Sequence, residues 1–311
     1  VVGVPAAMRA PVGLQPLADA MPGRVLDVGI AEQHALTASA GMAFAGLHPV
    51  VALYATFLNR AFDQTLMDVG LHRAGVTIVL DRAGVTGTDG ASHNGVWDMA
   101  LLSVVPGLRL AAPRDEPTLR AELREAVAVD DAPTVLRYPK GSLPEPVPAL
   151  RSVEGVDVLL EPGAAQETSG TTADGVGGAA PSGRRVLVVG VGAMVPTALE
   201  VGRALAADGD AVTVVDPRWV LPVPDALVAM AAGADLVATI EDGIVDGGVG
   251  SALRDRLDDA AAAGSANGGG GPLTPAVRRF GVPRRFIGTG TRAQILAESG
   301  MDAASVTAAL R

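Results

Sequence analysis

A single carboxylate, Glu32, stands at the start of a long run of small uncharged residues. The stretch DVGIAEQHALTASAGMAFAG spans residues 27–46, and the twelve positions after His34 carry no charge. Because burial disfavours the charged form of a carboxyl group, an acid in such surroundings is expected to have a raised pKa or a partner. Glu32 is therefore a candidate functional residue.

A glycine-rich segment, DRAGVTGTDGASHNG (81–95), brings four chemically different side chains together. It contains four glycines and offers a cation, an acid, a hydroxyl and an imidazole, on Arg82, Asp89, Ser92 and His93. The segment follows a predicted strand, where open α/β sheets place ligands, and its glycines allow the backbone to approach a ligand closely. A structural loop uses such residues for turn hydrogen bonds, but the combination favours a functional loop.

Three further motifs each allow two interpretations. ATFLNRAFDQ (55–64) places Phe57 and Arg60 near a strand end and a helix start; Phe57 either packs in the core or faces a planar ligand. LRYPKG ends a predicted strand at Arg137, which is a surface arginine or a bidentate anion clamp. VVGVGAM (188–194) imitates a dinucleotide fingerprint, but Val195 stands where the third glycine belongs, which favours a tight turn.

Composition excludes several classes of protein. The chain has 311 residues, a net charge of −10 and no basic run, which argues against a nucleic-acid surface. Cysteine is absent, so disulfides and thiolate metal sites are excluded, and the four histidines lack the close spacing of metal ligands. No signal peptide is predicted, and the apolar run over 35–58 is predicted to be a helix, a turn and a strand, not a membrane span. We expect a soluble, cytoplasmic protein.

Strands and helices alternate along the first half of the chain. Short β-branched runs bounded by Pro or Gly occur at 49–57, 76–84, 108–113 and 133–139. Residues 61–74 and 115–129 have helical spacing of apolar positions, and Asp115 is a candidate N-cap. Strands that are buried on both faces and separated by helices imply a parallel α/β sheet.

The same pattern restarts after a low-complexity stretch. Residues 162–183 are rich in Gly, Ser, Thr and Ala, which predicts a flexible linker. Three further strands follow, with helices over 195–207, 223–232 and 248–262, and a surface loop is predicted over 261–275. The fold class is α/β, with two domains of mainly parallel sheets flanked by helices: residues 1–145 and 185–311, joined by a linker over 146–184.

Taken together, the motifs resemble one enzyme family. RVLDVGIAEQHA, YATFLNRAFDQ, DRAGVTGTDGASHNG and LRYPKG follow in the order and spacing of the 1-deoxy-D-xylulose-5-phosphate synthases, which are thiamine-diphosphate enzymes of the transketolase superfamily. The similarity continues through TIEDGIVDGGVGS and the tail FGVPRRFIGTGTRAQILAESGMD. The resemblance implies a pyrimidine-binding domain followed by a transketolase C-terminal domain, assembled as a homodimer.

The resemblance also implies roles for single residues. Glu32 matches the glutamate that hydrogen-bonds the cofactor's aminopyrimidine, and Phe57 matches the ring that stacks on it. The implied substrates are pyruvate and glyceraldehyde 3-phosphate. Residues that match substrate-binding positions are Tyr54, Arg60, Arg82, Asp89, His93 and Arg137, of which Asp89 and His93 are also catalytic candidates and Tyr54 also contacts the cofactor. Arg82 and Arg137 match the arginines that hold the acceptor phosphate.

The family also has an N-terminal domain whose GDG…N segment holds Mg²⁺ and the cofactor's diphosphate. The sequence has no such segment and lacks an initiator Met, so we expect the C-terminal part of the enzyme, dependent on a diphosphate-binding domain in cis or on a separate subunit. Two alternatives stay open: the pyrimidine-domain subunit of a split transketolase, and a non-catalytic dimerising remnant. The complete set of matched residues argues against the remnant.

Overall fold

Two six-stranded sheets, each flanked by helices, make up the fold. The structure is a computed structural model and describes residues 1–142, 144–163, 183–266 and 274–311. The strands are β1 (Val2–Pro5), β2 (Pro49–Tyr54), β3 (Thr77–Asp81), β4 (Arg109–Ala111), β5 (Thr134–Arg137), β6 (Arg151–Val153), β7 (Val156–Leu160), β8 (Arg185–Gly190), β9 (Ala211–Asp216), β10 (Trp219–Leu221), β11 (Leu236–Ile244) and β12 (Ala276–Val282).

The helices cover both halves of the chain. They are α1 (Gln15–Ala20), α2 (Glu32–Phe44), α3 (Phe62–Gln64), α4 (Asp98–Leu102), α5 (Glu116–Ala126), α6 (Val195–Ala207), α7 (Asp225–Ala232), α8 (Val249–Ala266), α9 (Arg292–Glu298) and α10 (Ala303–Leu310). Short 3₁₀ segments occupy Pro22–Arg24, Ala55–Ala61 and Gly192–Met194, and Thr65–Gly70 forms a π-helical segment.

Most strand pairs are parallel, as predicted. The first sheet has the order β1-β2-β3-β5-β4-β10, with β10 antiparallel to β4. The second sheet has the order β12-β11-β8-β9-β7-β6, in which β7 pairs antiparallel with both β9 and β6. The cores of both sheets consist mainly of Val, Leu, Ile and Ala, with a few Met, which agrees with the scarcity of aromatic residues.

The order of the first sheet brings three segments together at the carboxyl ends of its strands. Tyr54 at the end of β2 is in register with Asp81 at the end of β3, and Leu80 is in register with Arg137 at the end of β5. Because these strands are parallel, the residues that follow them leave the sheet at the same edge. Three motifs that are far apart in the sequence are therefore neighbours in space.

Local predictions are confirmed where sequence signals are strong. The predicted helix over 195–207 is α6, and VVGVGAM forms a tight turn from β8 into α6. Asp115 is the N-cap of α5: its carboxylate accepts from the Thr118 amide at 3.0 Å in a capping box.

Two parts of the segmentation differ from the structure. Residues 151–160 lie inside the predicted linker but form the hairpin β6–β7, because the alternating RSV and VDVLL runs flank a Glu154-Gly155 turn in which both residues have positive φ. Helix α8 continues to Ala266, into the predicted surface loop. The remaining linker and loop predictions, at 164–182 and 267–273, lie outside the described residues.

The two sheets are connected by buried ion pairs as well as by apolar packing. Arg114, which follows β4, donates at 2.7 Å to Asp157 on β7 and at 2.7 Å to Asp216 at the end of β9. Burial raises the pKa of Asp216 to about 6, although the hydrogen bonds from Arg114 and the Arg218 amide favour its charged form. The second sheet is thus fastened to the first by a charged contact as well as by strand β10.

We expect Asp115→Ala to lower the free energy of unfolding by about 2 kcal/mol, because the Val147 amide also loses its acceptor, the Asp115 carboxylate at 2.9 Å. Glu116→Ala is the matched control, since this neighbouring half-exposed carboxylate pairs only with Arg120 among the described residues, and we expect a loss of about 0.5 kcal/mol or less. Urea denaturation of both variants measures the difference. Equal losses would contradict the capping interpretation.

Candidate active site

Glu32 occupies the first position of α2 and is 3% exposed. The positive end of the helix dipole favours a carboxylate at this position. Its Oε2 lies 3.4 Å from Nη1 of Arg60, whose side chain is half-exposed. The expectation that this acid has a partner is therefore met by Arg60, and the pair is open to solvent on the arginine side.

An aromatic group adjoins this ion pair. The rings of Tyr54 and Phe57 are stacked, with centroids 5.7 Å apart and an interplanar angle of 11°. The His93 ring meets Phe57 edge-on at 5.7 Å, and the Arg60 guanidinium lies 5.6 Å from the Phe57 centroid. Phe57 is only partly buried, and it packs on the small apolar cluster of Val12, Ala52 and Tyr54. This arrangement supplies a partly open aromatic face beside a buried carboxylate.

A charged group lies on the other side of Tyr54. The Arg82 guanidinium sits 3.9 Å from the Tyr54 ring centroid and donates to Asp81 at 2.8 Å. Lys140 donates to Asp89 at 2.6 Å, and this hydrogen bond holds the pKa of Asp89 below its usual value. Arg82 has φ +58, a left-handed conformation that is uncommon for non-glycine residues.

The imidazole of His93 is oriented by its neighbour. Its Nδ1 lies 2.9 Å from the Ser92 hydroxyl, and the Ser92 carbonyl accepts from Thr56 at 2.9 Å. A ring whose Nδ1 is engaged has Nε2 available for another partner. Ser92 therefore orients a histidine that contacts the aromatic group.

Seven of the predicted residues form one chain of contacts with Lys140. We call this set the site cluster: Glu32, Tyr54, Phe57, Arg60, Arg82, Asp89, His93 and Lys140. Lys140 lies in the predicted LRYPKG motif but was not among the predicted site residues. It is the single lysine of the sequence, and its proximity to Asp89 is the structural signal that identifies it.

Arg137 is not part of the site cluster. Its side chain is buried and donates at 2.7 Å to Asp98 and at 2.7 Å to Asp242. Burial opposes the charge on Arg137, but the attraction of the two carboxylates outweighs it and raises the Arg137 pKa. The surroundings of Arg137 favour a structural role, and its predicted contact with a phosphate stays a prediction.

The glycines of the 81–95 segment lie against other parts of the protein and do not face an open site. A Cβ on Gly84 would lie 2.0 Å from an Asp242 oxygen, and a Cβ on Gly87 would lie 3.0 Å from the Arg292 amide. A Cβ on Gly95 would lie 2.5 Å from the Arg82 carbonyl. These glycines allow close packing of the loop on the second sheet and on itself, whereas the sequence had suggested close approach to a ligand.

A cavity of about 820 Å³ adjoins the Arg82 end of the site cluster. Arg82, Tyr138 and Lys140 line it from the first sheet's edge. Ala193, Pro196 and Arg292 line it from the side of the second sheet. Glu32 and Phe57 do not line this cavity, so the carboxylate and aromatic face lie at a different part of the surface.

The described ranges contain no group of three or more His, Cys, Asp or Glu residues that could hold a metal ion. Within the same ranges, every helix is too short or too polar to cross a membrane.

Two family descriptions match the chain in succession. They are "Transketolase, pyrimidine binding domain" over residues 1–146 and "Transketolase, C-terminal domain" over residues 178–306.

The chain is also similar to curated synthases. It is 57% identical over 304 residues to the 1-deoxy-D-xylulose-5-phosphate synthase of Kocuria rhizophila, covering 97% of this chain and 42% of that protein. It is 55% identical over 308 residues to the synthase of Pseudarthrobacter chlorophenolicus, covering 99% of this chain and 43% of that protein. The chain thus spans less than half the length of these curated relatives.

Solved structures include similar folds. A split-gene transketolase, described as an inactive beta4 tetramer, has a TM-score of 0.78 and 28% identity, covering 99% of this chain and 90% of that one. The transketolase of Campylobacter jejuni has a TM-score of 0.73 at 15% identity, covering 99% of this chain and 43% of that one, which supports the fold alone.

We expect Lys140→Met to raise the pKa of Asp89, because the hydrogen bond that favours its carboxylate form is removed. A ¹³C NMR titration of the Asp89 carboxyl measures this shift. Arg73→Met is the control, since Arg73 pairs with Asp131 elsewhere on the surface at 2.6 Å. An Asp89 titration that is the same in all three proteins would show that Lys140 does not control this acid.

Proposed function

Since the chain belongs to the transketolase superfamily, with that superfamily's pyrimidine-binding and C-terminal domains, we propose that it is the C-terminal part of a 1-deoxy-D-xylulose-5-phosphate synthase. The proposed reaction is the decarboxylative condensation of pyruvate with D-glyceraldehyde 3-phosphate. The observation that carries this proposal is the site cluster, in which contacts link a buried carboxylate, an aromatic face and two partly exposed cations. Identities of 55–57% to synthases over nearly the whole chain support the same assignment.

The residues present fit the aminopyrimidine of thiamine diphosphate. Glu32 is a buried carboxylate at a helix start, positioned to accept a hydrogen bond, and Phe57 offers a partly exposed ring for stacking. We assign Glu32, Phe57 and Tyr54 to cofactor binding. When bound, the cofactor supplies a centre that stabilises a carbanion.

The chain's own catalytic groups are proposed to orient the substrates and to move protons. Glu32 would accept a hydrogen bond from the aminopyrimidine ring nitrogen of the bound cofactor and so favour one of its tautomers. His93, oriented by Ser92, exchanges a proton with substrate oxygens through Nε2. Asp89, kept ionised by Lys140, accepts hydrogen bonds from substrate hydroxyl groups. Arg60 closes the Glu32 side of the site.

Arg82 and Lys140 are proposed to hold the acceptor's phosphate. Both line the cavity and both are partly exposed, which anion binding requires. Arg137 is enclosed by two carboxylates, so we propose that it fixes the end of β5 in place. We propose that Lys140, in the same motif, binds the phosphate in its stead. Lys140 also donates to Asp89, so a phosphate bound at Lys140 competes with the Asp89 carboxylate for this lysine.

The cofactor's diphosphate and Mg²⁺ are proposed to be held by a separate diphosphate-binding domain, in cis or on another subunit. In support, the chain spans only 42–43% of the length of the synthases it resembles, so those proteins contain further sequence that could hold such a domain. We also propose a cytoplasmic location, which the cysteine-free composition fits.

One alternative has a specific observation in its favour. The split-gene transketolase matches the chain over 90% of its own length, so the chain could form the equivalent subunit and use a ketose phosphate as donor. The higher identity to the synthases favours pyruvate.

Glu32→Gln tests the leading proposal in the chain assembled with its diphosphate-binding domain. We expect pyruvate decarboxylation to fall by about 10²-fold or more, because the amide cannot select the tautomer as the carboxylate does. Asp63→Asn, an exposed acid on the neighbouring helix, is the control and leaves the rate unchanged. Full activity of Glu32→Gln would favour the remnant, and turnover of ketose phosphates alone would favour the split transketolase.

We further propose that the chain forms a homodimer through an exposed apolar patch. Phe44 at the end of α2 contacts the His72 ring, with the ring centroids 5.6 Å apart, and the exposed apolar residues Met67 and Leu71 lie on and directly after the π-helical segment that packs against α2. Phe44 and Leu71 are 60% and 65% exposed. A second copy is the proposed occupant, since the structurally similar split-gene transketolase chain is described as a tetramer of copies.

Phe44→Glu combined with Leu71→Glu is expected to weaken this dimer by placing like charges at its centre. Sedimentation velocity should then show monomers at concentrations where the parent chain is dimeric. Leu150→Glu, an exposed apolar side chain beside strand β7 of the second sheet, is the control. A monomeric parent chain, or a double variant that stays dimeric, would contradict this interface.

A further inference from the structure

The glycine-rich loop (residues 84–95) packs directly on the C-terminal domain. Gly84 lies against the carboxylate of Asp242, and Gly87 lies against the backbone of Gly290 and Arg292. Both glycines have positive φ, +72 and +83, so a side chain at either position is disfavoured by conformation and by space. The loop that carries Asp89 and His93 is therefore shaped against residues that come about 150 to 200 positions later in the chain.

Arg292 provides the polar contacts at this junction. It is the first residue of α9 and is held there by the N-cap Thr291. Its Nη1 donates to the Val85 carbonyl at 2.9 Å, and its Nη2 donates to Asp242 at 2.7 Å. One guanidinium thus fixes the backbone of the loop to a carboxylate of the second sheet.

The point that Arg292 holds is the neck of the loop. Gly84 and Gly95 exchange two backbone hydrogen bonds, at 2.8 and 2.9 Å, which bring the two ends of the loop together. Asp89 and His93 lie between these ends, whereas Arg82 and Lys140 lie outside them. A shift of Val85 therefore moves Asp89 and His93 relative to Arg82 and Lys140.

Asp242 is suited to act as the fixed partner. It is buried, and burial opposes its ionisation, but the attraction of Arg137 and Arg292 outweighs this and lowers its pKa. Arg137 still pairs with Asp242 when Arg292 is replaced, so the carboxylate keeps one counter-charge. The fold is thus expected to survive substitution of Arg292.

We propose that Arg292 is a positioning residue for the glycine-rich loop, through which the C-terminal domain sets the placement of Asp89 and His93. The catalytic meaning of this placement rests on the proposed function. The placement itself does not, and it can be measured without turnover.

Hydrogen–deuterium exchange of the 311-residue chain tests the placement. Reporter amides are those hydrogen-bonded within the loop, namely Gly84, Thr86, Gly90, His93 and Gly95. In Arg292→Gln we expect about tenfold faster exchange at these amides and unchanged exchange in β2, because a hydrogen bond to a charged group is lost at the neck. Arg285→Gln, an exposed arginine on the same tail, is the control and should match the parent chain.

Arg292→Lys and Gly87→Ala refine the test. Lysine can pair with Asp242 but cannot reach the Val85 carbonyl at the same time. We therefore expect the exchange rates of Arg292→Lys to lie between those of the parent chain and those of Arg292→Gln. Gly87→Ala disturbs the same junction from the side of the loop and should reproduce the Arg292→Gln pattern. Unchanged loop exchange in Arg292→Gln and Gly87→Ala would overturn the proposal.

Turnover of the chain assembled with its diphosphate-binding domain gives the second measurement. Arg292→Gln should lower kcat about ten- to a hundredfold, and any rise in KM for glyceraldehyde 3-phosphate should be smaller than this, because Arg292 also lines the cavity whereas Arg82 and Lys140 lie outside the neck. A raised KM with unchanged kcat would overturn the positioning role. If the parent complex fails to turn over pyruvate, the proposed function is wrong, while the exchange experiment still decides whether Arg292 positions the loop.

Discussion

The carboxylate of Asp242 receives two guanidinium groups inside the protein, and the arrangement of both sheets depends on that meeting. Arg137 approaches from the end of β5, and Arg292 approaches from the start of α9. Removing the carboxylate itself would leave Arg292 without a carboxylate partner among the described residues and Arg137 with Asp98 alone, and breaking buried ion pairs in this way costs several kcal/mol. Because Gly84 lies against the same carboxylate, the strand edge, the glycine-rich loop and the C-terminal domain share one fixed point.

The two domains contribute differently to the candidate site: one carries its side chains, and the other holds their loop in place. All members of the site cluster precede residue 146, so they belong to the pyrimidine-binding domain. The contacts that shape their loop come from the C-terminal domain. Asp89, His93, Arg82 and Lys140 can thus stay partly exposed. The rigidity that they require comes from the contacts between the glycine-rich loop and the C-terminal domain.

The sequence predicts local features well and long-range partnerships poorly. The capping box at Asp115, the turn at Gly192 and the parallel strands all follow from signals within a few residues. The burial of Arg137 does not, because its partners Asp98 and Asp242 lie 39 and 105 positions away. The glycines at 84 and 87 show the same limit: the sequence reveals that space is restricted there, but not that Asp242 and Arg292 occupy it. Strand β10 has only three residues, too few for a periodic signal.

Strand β10 also constrains the order in which the chain can acquire its structure. It pairs with β4 at the edge of the first sheet, although it follows β8 and β9 of the second. During synthesis, the backbone groups along that edge of β4 stay unpaired until residues 219–221 have left the ribosome. An exposed strand edge in a nascent chain can recruit other chains. The first sheet is therefore completed only after residues 219–221, which follow most of the second sheet's strands in the sequence, have been synthesised.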